Sequence, residues 1–384
     1  TGIITVNGYG ATIARSQVSG TPPFRIFAVT SGGNLTLNVV TVKGGLAANG
    51  CLGDDLGSCV SKAGGLSVEA GGKLALNHSV VTENRSTVST AGGVGGFSRG
   101  GGIDNSGIVI LNNSLVSKNV ASSGTEDGRA QGGGISNSGQ LTLWCSTVTH
   151  NTAAEDSGLD GAFADGGGIF SAAGRLIMRR SMVSYNTVSS NAPGAQAIAG
   201  GIEVGVGSTA SLAYNVIRNN TATATGVAVA GGIHVAGTAT LYHVAIFGNV
   251  ANSSAGPEIA AGGGLAIAGC RPVAGGSTCI AGKAKLLYTV IYSNATRAPN
   301  GYALGGGIDN GGTATLAYSK VANNTAAGDT LTNSLGGGIY NADWESFYYG
   351  GTPVSGSLTL FSSQVTGNHP DQCDPTGSVP GCSN

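Results

Sequence analysis

Apolar residues fall along this chain in two registers that alternate with each other. A front register places Ile or Leu directly after a Gly-Gly pair, at Leu66, Ile103, Ile135, Ile169, Ile202, Ile233, Leu265, Ile308 and Ile339. A back register places an apolar residue eight positions before an Asn. It pairs Leu76 with Asn84, Leu111 with Asn119, Leu143 with Asn151, Met178 with Asn186 and Leu212 with Asn220, then Leu241 with Asn249, Leu286 with Asn294, Leu316 with Asn324 and Leu360 with Asn368. The first copy departs from this, since Leu37 leads to Gly45. From Ile103 to Ile339 the front positions are 32, 34, 33, 31, 32, 43 and 31 residues apart, and the long interval holds an insert around Cys270 and Cys279.

A self-similar period of this length predicts a solenoid, because one unit cannot bury its apolar side without stacking on the next. The units do not read as helices, since glycine is too frequent and β-branched residues alternate with polar ones. A buried strand column is predicted at Val81, Val116, Val148, Val183, Ile217, Ile246, Ile291, Val321 and Val365. Two residues earlier the column is mostly small, as at Ser79, Ser114, Ser146 and Ser181, which suits a narrow interior corner. The Asn column predicts a structural ladder at a bend. Asn tolerates a left-handed backbone, and its amide can bond to the same amide one coil away, at roughly 4.8 Å. Gly-Gly marks a corner where β-carbons would collide or φ is positive. These glycines do not read as a phosphate loop, which needs a helix start after it.

The expected fold is all-β, a single right-handed parallel β-helix of about ten coils and on the order of 45–50 Å long, with an Asn ladder and loops on one edge. One domain spans residues 1–384, with N-terminal coils over 1–50, repeat coils over 51–368 and a disulfide-closed C-terminal cap over 369–384. The segments between each Asn and the next Gly-Gly, such as Val120 to Gln131 and Thr152 to Asp165, read as the loops. The chain opens at Thr1 without Met, as a trimmed mature protein would.

Composition narrows the setting. Charged residues are 10% of the chain, glycines number 69 in 384, and the net charge of −1 offers no field for nucleic acid. The apolar stretch from Gly226 to Phe247 is broken by glycines and carries His234 and His243, so no membrane span is predicted. Seven cysteines resolve into the close pairs Cys51 and Cys59, Cys270 and Cys279, and Cys373 and Cys382, with Cys145 left over. Local disulfides are expected, each worth about 2.5 kcal/mol in loop entropy, and they imply an oxidising, exported setting.

The units resemble the G-G-x-I and F-x-x-N repeats of polymorphic outer-membrane and autotransporter passenger proteins. They are closer still to bacterial secreted right-handed parallel β-helix repeat proteins, with units of the form G-G-G-I-x-N-x-G-x-L-T-L-x-x-S-T-V-x-x-N. Gly132 to Asn151 and Gly305 to Asn324 match that string almost fully, and Ile3 to Arg15, Phe24 to Gly45 and Asn368 to Cys382 are similar to the first coils and the ending of such proteins. The resemblance implies a secreted, extracellular or cell-surface protein, and it implies no single activity.

Three constellations could carry chemistry. The residue after the front Ile reads Ser67, Asp104, Ser136, Phe170, Glu203, His234, Ala266, Asp309 and Tyr340. There Glu203 and His234 would form an exposed neighbouring pair, the candidate catalytic acid and base of a polysaccharide lyase or glycoside hydrolase. An outward back-half column carries Arg180, Tyr214, His243, Tyr288 and Tyr318, an aromatic ladder whose rings would also suit sugars. Acidic residues at Glu126, Asp127, Glu155, Asp156, Asp160 and Asp165 make calcium the one candidate metal, at Asp156, Asp160 and Asp165, although no calcium-loop spacing is present. No cofactor is otherwise expected. The sequence is thus read as an extracellular structural or adhesive element with a filament-forming or glycan-binding surface and no assigned enzymatic activity, its partners being itself, end to end or laterally, or extracellular glycans. The alternative is a carbohydrate-active enzyme.

Overall fold

The computed structural model describes residues 2–49, 59–157, 161–192, 194–254, 258–269, 271–272, 279–343 and 355–383. It is a parallel β-helix. Each full coil contributes one short strand to each of five sheets, shown by the coil Ile103–Asn105, Ile108–Asn112, Leu115–Ser117, Val120–Glu126 and Arg129–Gln131. Sheets 1, 2 and 3, numbered in that order along the coil, each hold eleven strands, and sheets 4 and 5 each hold nine. Every pairing within these five sheets is parallel and joins successive coils, as Leu141 with Leu176 and Val148 with Val183. Among the described residues no helix is long and apolar enough to cross a membrane.

Sheets 1, 2 and 3 surround the large core. Alternation at period two sends the front column (Leu66, Ile103, Ile135), the back column (Leu76, Leu111, Leu143) and the valine column (Val81, Val116, Val148) inward, and all are fully buried. The Asn ladder is continuous. From Asn84 to Asn368 each Nδ2 donates to the Oδ1 of the Asn one coil on, at 2.9–3.0 Å. Each Oδ1 from Asn119 to Asn368 also accepts the backbone N–H of the preceding ladder Asn, and each Nδ2 reaches a strand carbonyl, as Asn151 does at Val116. The ladder is closed at both ends: Gly45 donates its N–H to Asn84, and Asn368 donates to Gln372. The irregular first copy is therefore the ladder's terminus.

The left-handed backbone at this bend belongs to the residue before each Asn, as at Lys118, His150 and Tyr185 with φ of 54–55°. The ladder Asn itself is in no such conformation, so its identity is set by the side-chain amide. The glycine corner combines both of its expected causes. Gly132 has φ 66°, while a β-carbon on Gly134 would lie 2.7 Å from the Gly168 carbonyl oxygen and 3.0 Å from the Asn151 amide carbon. The glycine column thus lets the front strand approach the ladder closely.

The segments between each Asn and the next Gly-Gly do leave on one edge, but they are ordered as strands and build sheets 4 and 5. A second, smaller core lies between these sheets and is almost entirely alanine, including Ala130, Ala153, Ala164, Ala197, Ala222 and Ala228. The gap between the two sheets is filled mostly by one methyl group from each, as by Ala153 and Ala164 of one coil and Ala222 and Ala228 of another. The C-terminal segment adds Cys373–Asp374 to sheet 1 as its last strand, and the Cys373–Cys382 disulfide closes the loop that follows. Cys59 is also disulfide-bonded, and its expected partner Cys51 lies outside the described residues. The Cys270 and Cys279 pairing likewise cannot be placed, because Cys270 lies outside them. Cys145 is a free, exposed thiol.

Candidate functional site

The predicted column of Arg180, Tyr214, His243, Tyr288 and Tyr318 sits at the turn between sheets 2 and 3. It is a left-handed corner, with φ between 50° and 58° at all five, and the Cys145 position belongs to it too. The preceding strand ends one residue earlier, at Arg179 and Tyr242, and the corner residue projects outward. Four rings stack along it, Tyr214 on His243 at 5.0 Å, His243 on Tyr288 at 5.0 Å and Tyr288 on Tyr318 at 5.1 Å, with interplanar angles of 7–9°. Tyr242 braces them edge-on, within 5.9 Å of Tyr214, His243 and Tyr288. Its phenol is raised above the usual tyrosine range, chiefly by its hydrogen bond with Tyr214. Tyr214, Tyr288 and Tyr318 remain about half exposed. Since the faces are turned on one another, the corner offers solvent a row of ring edges and hydroxyls.

Glu203 and His234 are register partners on sheet 1, and their Oε2 and Nδ1 share a hydrogen bond of 2.8 Å. They are not exposed, contrary to the sequence reading: His234 is 1% and Glu203 7% accessible. The reason is the glycine corner. The left-handed residue between sheets 5 and 1 folds the end of each sheet-5 strand back beside the outer face of sheet 1. A β-carbon on Gly262, for instance, would stand 2.7 Å from that of Ala266. From Ile198 onward this junction is filled by Val229, Ala261, Ala266, Leu304 and Tyr340, so the outward column of sheet 1 is sealed there. The Tyr340 phenol is raised, first by burial and then by Asp309.

Toward the N-terminus the same junction is open and polar. It holds a cleft of about 210 Å³ lined by Phe97, Arg99, Asp104, Arg129, Gln131, Ser136 and Phe170, among others. Burial raises the Asp104 carboxyl, against the opposing pull of Lys62 and Arg99. Asp165 follows Gln131 one coil on, where its Oδ2 accepts a 3.1 Å bond from Gln131 Nε2, and its carboxyl is pushed up to about 6 by burial and by Glu203. Asp165 thus belongs to sheet 5, beside Glu203. Asp156 is exposed at the end of its sheet-4 strand, and Asp160 lies outside the described residues. Glu155 is fully buried, and burial raises its carboxyl. Among the described residues no cluster of three or more His, Cys, Asp or Glu could hold a metal ion.

The cleft was missed in the sequence because its two walls are separated by the glycine turn. The signal was present: Lys62, Arg99 and Gln131 hold equivalent places in successive units, immediately before the corner residues Ala63, Gly100 and Gly132. No family model matches this chain, and no curated protein matches it either.

Proposed function

We propose that the chain is an extracellular adhesive rod that presents a glycan-binding surface along one corner of the β-helix. The observation that carries this reading is the exposed row of rings from Tyr214 to Tyr318, set at 5.0–5.1 Å by the rungs beneath it. Ring edges and phenol hydroxyls offer both apolar contact and hydrogen bonding to a saccharide lying along the axis. The Cys373–Cys382 disulfide supports an oxidising location. A glycan array followed by titration of Tyr288→Ala tests the reading: the hits should weaken in the variant, and an array without hits would overturn it. End-to-end or lateral self-association belongs to the same proposal and is read by electron microscopy of the purified chain.

A second reading is favoured by one contact. The 2.8 Å pairing of Glu203 with His234 has the geometry of an acid and a base, as a polysaccharide lyase or glycoside hydrolase would require. Their burial weighs against substrate access. If the pair is catalytic, Glu203→Gln abolishes release of unsaturated or reducing ends from acidic polysaccharides, while the wild type produces them.

A further inference from the structure

We infer that the open cleft at the junction of sheets 5 and 1 is a binding site for an acidic, uronate-bearing saccharide. It lies at a different corner from the ring column and does not depend on it. Two guanidinium groups line the cleft and feel Asp104 and Asp165 only at longer range, with no direct ion pair: the two ion pairs among the described residues are Lys43 with Glu83 and Glu203 with His234. The Arg129 guanidinium is held near two rings, 4.9 Å from the Phe163 centroid and 5.9 Å from that of Phe97, which restrains it while the side chain stays exposed. Arg99 lies 5.6 Å over Phe97, and its buried Nε has no hydrogen-bond partner among the described residues. Buried donors of this kind are normally satisfied, and this one comes within reach of a ligand carboxylate only if the Arg99 side chain turns toward the cleft, so the exposed Arg129 fork is the primary contact.

The remaining groups select the rest of the ligand. Half-buried Phe170 supplies an apolar surface for a pyranose ring, while Asp104, Ser136 and exposed Ser138 supply acceptors and donors for hydroxyls. A carboxylate in the cleft disfavours a densely charged polyanion, but it suits a sugar that carries one acid group and several hydroxyls per unit. The polar junction runs on toward a second hollow of about 380 Å³ lined by Phe24, Arg25 and Lys62, so a linear oligomer along the axis meets further cations.

The test is calorimetric titration of the full chain with tri-galacturonate, its methyl ester and dextran sulfate. Tri-galacturonate should bind, and the ester should bind at least about tenfold more weakly, as should tri-galacturonate to Arg129→Ala and Arg129→Lys. Arg129 is exposed, so these variants should keep the wild-type melting profile, which leaves the test standing even if Arg99→Ala unfolds. Arg129→Ala should weaken tri-galacturonate binding by the same factor whether or not Tyr288→Ala is also present, separating this site from the ring column. Equal affinity for the ester, binding unaffected in Arg129→Ala, capture of dextran sulfate alone, or no binding at millimolar tri-galacturonate would each overturn the proposal.

Discussion

The three-sheet barrel and the two-sheet edge beside it are built from the same coils and the same parallel pairing, yet they are stabilised differently. The barrel buries Leu, Ile and Val and closes its bend with a ladder of amides, each satisfied by neighbours above and below. The edge buries alanine, whose methyl adds little apolar area per coil, so it relies more on main-chain pairing. A region with a large repeated core tolerates few changes of residue type at its columns. A region held mainly by backbone can vary its side chains, and it is the edge that carries Arg99, Gln131 and Asp165 at one register position and Phe97, Arg129 and Phe163 at another.

The largest effect should come from breaking the barrel's ladder. Asn151→Ala removes the acceptor for the N–H and Nδ2 of Asn119 and the donor to Val116 and Asn186, all in the dry interior. Asn119 Nδ2 keeps its bond to Val81 and Asn186 Oδ1 still accepts the residue-151 N–H, so at about 1–3 kcal/mol for each of the other two groups a loss of roughly 2–6 kcal/mol is expected, measured by chemical denaturation. A loss under about 1 kcal/mol would show that the amides add little to the strands.

The edge should instead reveal itself through pH. Asp165 holds its proton up to about 6 in the folded chain, whereas an unfolded Asp releases it near 3.9. Between those values the folded state binds the extra proton, so this contribution is fully present below about pH 4 and is lost as pH rises through 6. The shift is worth on the order of 3 kcal/mol at about 1.4 kcal/mol per pH unit. Asp104, Glu155, Glu258 and Asp374 are also raised, with burial the first cause for each, so their contributions carry the same sign. Melting temperature should therefore be higher at pH 5 than at pH 8, and Asp165→Asn, which can keep the Gln131 bond, should flatten that slope. A profile rising with pH would contradict the assignment.

Which of these features could be read from the chain follows from how local they are. The front Ile, the back Leu and the Asn repeat at fixed offsets, so their columns and the ladder are legible, as is the adjacency of Glu203 and His234. The edge sheets were not, although they too leave a mark: an Ala stands two residues after the Asn at Ala121, Ala153, Ala222, Ala251 and Ala326, and two before the corner at Ala130, Ala164, Ala228, Ala260 and Ala303. Alanine carries so weak a strand preference that a methyl-width core passes for loop. The burial of Glu203 and His234 was hidden for another reason. It depends on a left-handed residue folding sheet 5 back on sheet 1, and the direction of a turn is not written in the spacing of residues.

The alanine layer can be challenged directly. Ala164 is fully buried between sheets 4 and 5, with Ala130 and Ala197 as its register partners. Ala164→Leu forces three methylene equivalents into a gap set by methyl groups, and a loss of about 1–3 kcal/mol is expected on denaturation. Hydrogen exchange should place the loosened amides in sheets 4 and 5 and leave the barrel protected. Equal loosening of Val148 and Leu143 would mean that the two cores unfold as one unit.

The smallest effect is predicted at the exposed corner of the barrel, where the distinction between scaffold and surface is finest. Tyr288 stacks on His243 and Tyr318 and meets Tyr242 edge-on, yet it is 45% exposed and lies outside the Leu and Val core. Stacked pairs of this kind are worth about 0.5–1.5 kcal/mol beyond their area, so Tyr288→Ala should cost about 1 kcal/mol with no change in far-ultraviolet dichroism. A phenylalanine there keeps the stack and removes only the hydroxyl. If Tyr288→Phe restores stability but not glycan affinity, the ring serves the rod and the hydroxyl serves the ligand; if it restores both, the column binds through its ring edges alone.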